Sequence, residues 1–112
     1  MAEGGGLEPG VPVLLYLHSP REKVFGVLLS LDPAGAAVRG LDLVSLEDWM
    51  RQEIRGDTGL ALGSAFYPMW RIERVEADET VGDIEGFADR YRRLTGRSFV
   101  ETAGFGAPSK GA

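Results

Sequence analysis

Between Phe66 and Glu76 the strongest apolar residues stand at 66, 69, 72 and 75, three apart, with a proline at 68. A regular strand would place them two apart. Proline has no N–H to give to a central ladder, so Pro68 belongs at a strand end, an edge or a bulge. Both constraints are met by a strand over 64–68, a tight 3₁₀-like turn over 69–71, and a short strand over 72–77.

The preceding residues supply three more strands. Val13–His18 is nearly continuously apolar, and Ser19-Pro20-Arg21-Glu22 reads as a turn. Lys23–Leu31 is rich in β-branched and aromatic residues, with Gly26 marking a bend or bulge. Asp32-Pro33-Ala34-Gly35 is a turn sequence leading into a third strand, Ala36–Leu43, whose inward residues are expected at 36, 38, 41 and 43 after an irregularity at Gly40. A short helix is expected to open at Ser45, with Asp48 three residues on as a variant capping box. Its apolar positions are Leu46, Trp49, Met50 and Ile54, and Gly56 ends it. A connector over 56–63 follows. A second helix is expected after Glu79, capped by Thr80 or Asp83, with the stripe Ile84, Phe87, Ala88, Tyr91 and Leu94 and a stop at Thr95-Gly96. Residues 1–10 and 104–112, rich in Gly, Ala and Pro, are expected to be mobile tails around one folded domain at 11–103.

Composition bounds the chemistry. The 112 residues carry a net charge of −5, which opposes broad attraction to nucleic acid or an anionic membrane. With no cysteine and one histidine, disulfides, zinc-thiolate sites and multi-histidine metal sites are excluded within one chain. The longest apolar run, Val11–Leu17, contains Pro12 and is too short to cross a bilayer. The first residues lack the basic-then-apolar pattern of a secretory signal, so a cytoplasmic protein is expected. Arginine greatly outnumbers lysine, and Gly and Ala are abundant, as in chains from GC-rich bacterial genomes.

The order of these elements resembles the SH3-like small barrels, and within them the Sm-like (LSm) proteins. Val24–Leu43 resembles the first Sm motif, with Gly26 in the second strand and an apolar run ending at Asp32 before the turn into the third. Pro68, Ile72 and Val75 fit the strand–3₁₀–strand ending shared by SH3-like barrels. The resemblance implies a five-stranded SH3-like/Sm-like small barrel, here with a helix inserted between strands 3 and 4 and an amphipathic helix at the C-terminal end. It also implies a binding and assembly role, with strand 4 of one subunit pairing with strand 5 of the next. After Asp32 this chain has Pro33-Ala34-Gly35-Ala36 where RNA-holding members carry an Asn. It has Met69-Trp70-Arg71 where they carry an Arg-Gly pair.

No set of residues forms a catalytic signature. His18 lacks a partner pattern for acid–base work. The acidic residues Glu47, Asp48, Glu53, Glu73, Glu76, Asp78, Glu79, Asp83 and Glu85 do not follow a calcium-loop spacing. Gly56–Ser64 has the glycines of a phosphate cradle without its Gly-Lys-Ser/Thr ending, and Asp57-Thr58-Gly59 matches the aspartic-protease tripeptide without its flanks. Arg90, Arg92, Arg93 and Arg97 could contact phosphates, or could serve the end of a helix whose dipole favours cations. Trp49, Tyr67, Pro68 and Trp70 are the candidate interaction surface, since aromatics beside such a 3₁₀ turn can grip peptides, protein partners or bases. The expectation is therefore a non-catalytic interaction module without cofactor or metal. It would form a homo-oligomer through barrel-edge strands, with a protein partner possible and no membrane. The alternative is an RNA-binding Sm-like regulator using Asp32, Arg39 and Arg71.

Overall fold

The computed structural model describes residues 7–56 and 62–105. Strand β1 (Pro12–Leu17) is apolar throughout because both of its sides are covered. Val13, Leu15 and Leu17 face a cluster made with Val24, Leu28, Ala36 and Val38, while Leu14 packs into a second cluster on the opposite face. Strand β2 (Glu22–Asp32) alternates in the same way, sending Val24 and Leu28 to the first cluster and Phe25 and Val27 to the second.

Strands β3 (Gly35–Asp42), β4 (Gly63–Pro68) and β5 (Ile72–Ala77) complete an antiparallel sheet in the order β4-β3-β2-β1-β5. The strand–turn–strand ending read from the three-residue spacing is present, with the 3₁₀ turn at Met69–Arg71. The paired register is continuous through Gly26↔Gly40, where a side chain on either glycine would run into backbone of the facing strand. Shifts occur instead at Leu28/Ser30 and Tyr16/Leu17. Because the register does not slip at Gly40, Leu41 does not turn inward beside Ala36 and Val38 as expected. It packs with Leu43, the first residue of the next helix, on the helix-covered face.

Among the described residues three helices cover that face: α1 (Leu43–Ile54), α2 (Phe87–Thr95) and α3 (Phe99–Thr102). The N-cap of α1 is Asp42, three residues ahead of the expected Ser45, and its Oδ1 accepts the Ser45 N–H at 2.9 Å. The N-cap of α2 is Gly86, not Thr80 or Asp83 as expected, and the N–H groups at this end are satisfied by two residues well upstream. Asp78 accepts from Phe87 and Ala88 at 2.8 and 2.9 Å, and Thr80 Oγ1 accepts from Gly86 at 3.1 Å. Ile84 lies outside the helix, in a two-residue turn where Val81 and Ile84 exchange backbone hydrogen bonds.

The helix-side core is aromatic. Phe25 meets Phe99 at 4.5 Å and Phe87 at 5.5 Å, and Trp49 stacks on Tyr91 at 5.3 Å. One carboxylate is buried with them. Glu53 Oε1 accepts from Tyr91 Oη at 2.7 Å and from Arg97 Nη2 at 3.0 Å, which ties α1 to α2 and to the segment just beyond it. Tyr91 Oη also reaches Thr102 of α3, 3.1 Å away.

Contacts extend past both expected domain limits. Gly10 N–H donates to the Leu28 carbonyl, and Phe105, which packs against the helix-side core, donates its N–H to Val100. Of the expected mobile tails, residues 1–6 and 106–112 lie outside the described residues, as does 57–61 of the expected connector. No helix among the described residues is long and apolar enough to cross a membrane.

Candidate functional site

The most distinctive surface lies where β4 passes into β5. Pro68 closes β4 opposite Gly35, with backbone angles (φ −63°, ψ 149°) that proline adopts without strain. The 3₁₀ turn is then held at both ends. Met69 N–H donates to the Ala34 carbonyl of the β2–β3 turn at 2.8 Å. At the other end the Arg71 carbonyl accepts from His18 N–H at 3.0 Å. Arg71 Nη2 donates to Glu22 at 2.9 Å and to the Pro20 carbonyl at 3.2 Å. The turn therefore bridges the β2–β3 turn and the β1–β2 turn, and both of its flanking strands end at the margins of the sheet.

Apolar side chains remain exposed on this rigid frame. Trp70 is 65% exposed, Phe66 55% and Met69 39%. Tyr67 points the other way, half-buried against the inner cluster, and burial raises the pKa of its phenol. Pro68 is also half-buried.

Trp49, grouped with these residues in the sequence reading, is not part of the surface. It is 4% exposed inside the helix-side core, where it stacks on Tyr91 and meets Phe99 edge-on. The period of α1 turns residues 46, 49, 50 and 53 toward the sheet together, so Trp49 faces the core with Leu46 and Met50. Phe66 and Met69 enter the exposed set in its place. The signal for Phe66 was its alternation with Tyr67 in a strand, which sends only one of the two to the interior.

The candidate RNA-contacting residues are each engaged within the chain. Asp32 Oδ1 accepts the Ala34 N–H at 2.8 Å and shapes the β2–β3 turn. Arg39 donates to Ser64 Oγ at 2.9 Å and to the Ala103 carbonyl after α3 at 3.0 Å. Arg71 is fixed on Glu22 and Pro20 as described above. Three of the four arginines on and after α2 are matched by acids, and Arg92 stands exposed beside them. Arg90 makes a two-pronged pair with Glu47 at 2.6 and 2.7 Å, Arg93 pairs with Glu85, and Arg97 pairs with the buried Glu53. These pairs lower the pKa of Glu47 and Glu85, chiefly through the hydrogen bonds from their arginines.

His18 Nδ1 lies 3.1 Å from Ser19 Oγ, and among the described residues no carboxylate bonds to its ring. Among the described residues no group of three His, Cys, Asp or Glu side chains is arranged to hold a metal ion. The Asp57-Thr58-Gly59 tripeptide lies outside the described residues. No protein-family model, curated protein or solved structure matches the chain.

Proposed function

We propose that this chain is a non-catalytic interaction module of the SH3-like/Sm-like barrel type that self-associates through its edge strands. The strand order carries the reading. Four strands follow one another in sequence across the sheet, and the fifth returns to lie beside the first, with a single tight turn linking the two marginal strands. Among the described residues β4 pairs only with β3, and β5 only with β1. Each therefore offers one unpaired backbone edge, and pairing β4 of one copy with β5 of another removes both. Phe66, Met69 and Trp70 stand beside that edge, and large exposed aromatics are typical anchors of protein interfaces.

The RNA-binding alternative draws no support from Asp32, Arg39 or Arg71, each of which is already bonded to other groups of the chain. The test is solution mass by light scattering, with the 260/280 nm absorbance ratio read on the same peak. A ring-sized mass that falls in Trp70→Ala, with an unchanged circular dichroism spectrum, is the expected result. A monomer at all concentrations refutes self-association, and co-purifying nucleic acid restores the RNA reading.

A further inference from the structure

Two surfaces away from the β4–β5 edges complement one another. The first is the turn Val81-Gly82-Asp83-Ile84, where Gly82 takes φ +59° and the flanking residues bond back to back. It holds up two aliphatic side chains, Ile84 at 75% exposure and Val81 at 63%. Glu79 and Asp83 beside them make no hydrogen bond or ion pair among the described residues, whereas neighbouring Glu85 is taken up by Arg93.

The second is a groove of about 460 Å³ lined by Arg21, Glu22, Lys23, Asp42, Leu43 and Val44. Val44 is 93% exposed, the first-turn residue of α1 turned fully away from the core. Both acids of this groove are already used, Glu22 by Arg71 and Asp42 by the N-terminus of α1. Arg21 forms no hydrogen bond or ion pair among the described residues, and Lys23 only lies over the Tyr16 ring at 5.5 Å. The turn thus presents two carboxylates without a basic partner around an aliphatic tip, and the groove two cations without an acidic partner around an aliphatic wall.

We propose that the 81–84 turn of one copy seats in the Arg21–Lys23–Val44 groove of a second copy, placing Ile84 against Val44 and Glu79 and Asp83 against Arg21 and Lys23. The occupant is a second copy because the same chain carries both halves of the match. A contact between two different patches is head-to-tail, so it builds a ring where the rotation closes and a chain where it does not. It is small, and its charged half weakens with salt. It is independent of the β4–β5 pairing.

The chain has no cysteine, so single substitutions report contacts directly. Val44→Cys and Ile84→Cys proteins are mixed under mild oxidation, and the disulfide-linked pair is followed with time. The mixed pair is expected to form several-fold faster than either variant with itself. Arg21→Glu with Lys23→Glu in the Val44→Cys chain should abolish that advantage, and Glu79→Lys with Asp83→Lys in the Ile84→Cys partner should restore it. Mixed linkage no faster than self-linkage, or an advantage unmoved by the charge reversals, overturns the proposal. A parallel mixture of Ala65→Cys and Glu73→Cys reports β4–β5 pairing, so the failure of either contact is seen separately.

Discussion

Gly40→Ala should be among the most damaging single-methyl additions in this chain. A Cβ on Gly40 would sit 2.0 Å from the Phe25 carbonyl oxygen, 2.5 Å from Gly26 Cα and 2.9 Å from the Phe25 carbonyl carbon. Favourable carbon contacts begin at about 3.5 Å, so the nearest carbon, Gly26 Cα at 2.5 Å, falls short by roughly 1 Å, and the carbonyl oxygen is closer still. All three atoms are backbone, held by the ladder between β2 and β3, and no side chain can swing away. Over-packing typically costs about 1–3 kcal/mol, and rigid neighbours place this case near the top, at about 3 kcal/mol. For a domain of this size that lowers the melting temperature by roughly 12–20 °C. Gly63→Ala is the matched control: it lies in β4, and a Cβ there meets nothing within 4 Å. That substitution should change stability by less than about 1 kcal/mol, and in the stabilising direction. Urea unfolding followed by tryptophan fluorescence measures both, since Trp49 is buried in the folded state. A Gly40→Ala protein within about 0.5 kcal/mol of the parent would refute the claim that β2 and β3 are locked at this glycine pair.

Three further outcomes follow from the helix-covered face. Tyr91→Phe leaves the ring stack intact but takes a donor from the buried Glu53 carboxylate, and should cost about 1.5–3 kcal/mol in chemical denaturation. An unchanged midpoint would show that Arg97 alone satisfies that oxygen. Asp78→Ala frees the Phe87 and Ala88 N–H groups and should cost about 0.5–2 kcal/mol, with earlier hydrogen exchange in α2 than in β1. The Glu47–Arg90 pair holds the Glu47 carboxyl below its ordinary value of 4.5, so its stabilisation is present above that pH and is lost as pH falls through the lowered folded value. Glu47→Gln should therefore flatten the acid limb of the stability–pH curve below about pH 4.5 while changing little of its slope above. A parallel displacement of the two curves over the whole range would refute the linkage.

Much of the architecture was legible because it depends on neighbours in sequence. The three-residue spacing around Pro68 and the proline's missing N–H located the strand–3₁₀–strand ending to within a residue. Asp32-Pro33-Ala34-Gly35 read as a turn because Asp32 bonds to a backbone group two residues away. The helix stripe Phe87, Ala88, Tyr91 and Leu94 was likewise set by its own period, and each of the four packs at the helix-side core. Ile84 fitted the same arithmetic and does not belong, because the turn Val81–Ile84 interrupts the chain before the helix begins. Asp42 was missed as the N-cap of α1 because Ser45 offered a second cap at an equally good position, and only the backbone angles choose between them.

Other features were decided only by tertiary structure. The sequence by itself determined the local conformations: five strands, the turns between them, the helical stripes, and a composition unfit for cysteine or multi-histidine chemistry. It could not say which side of an apolar residue would be covered. Trp49 became core because three helices close over the outer face of the sheet, and α3 is too short to announce itself by periodicity. Asp78 caps a helix nine residues later, and Arg39 serves the carbonyl of Ala103, pairings that no local pattern encodes. Arg71, exposed by type, is drawn onto Glu22 by the path of the 3₁₀ turn. The physical reason is common to all of these. Backbone preference acts over a few residues, whereas burial and the satisfaction of polar groups are settled by whatever the folded chain brings alongside.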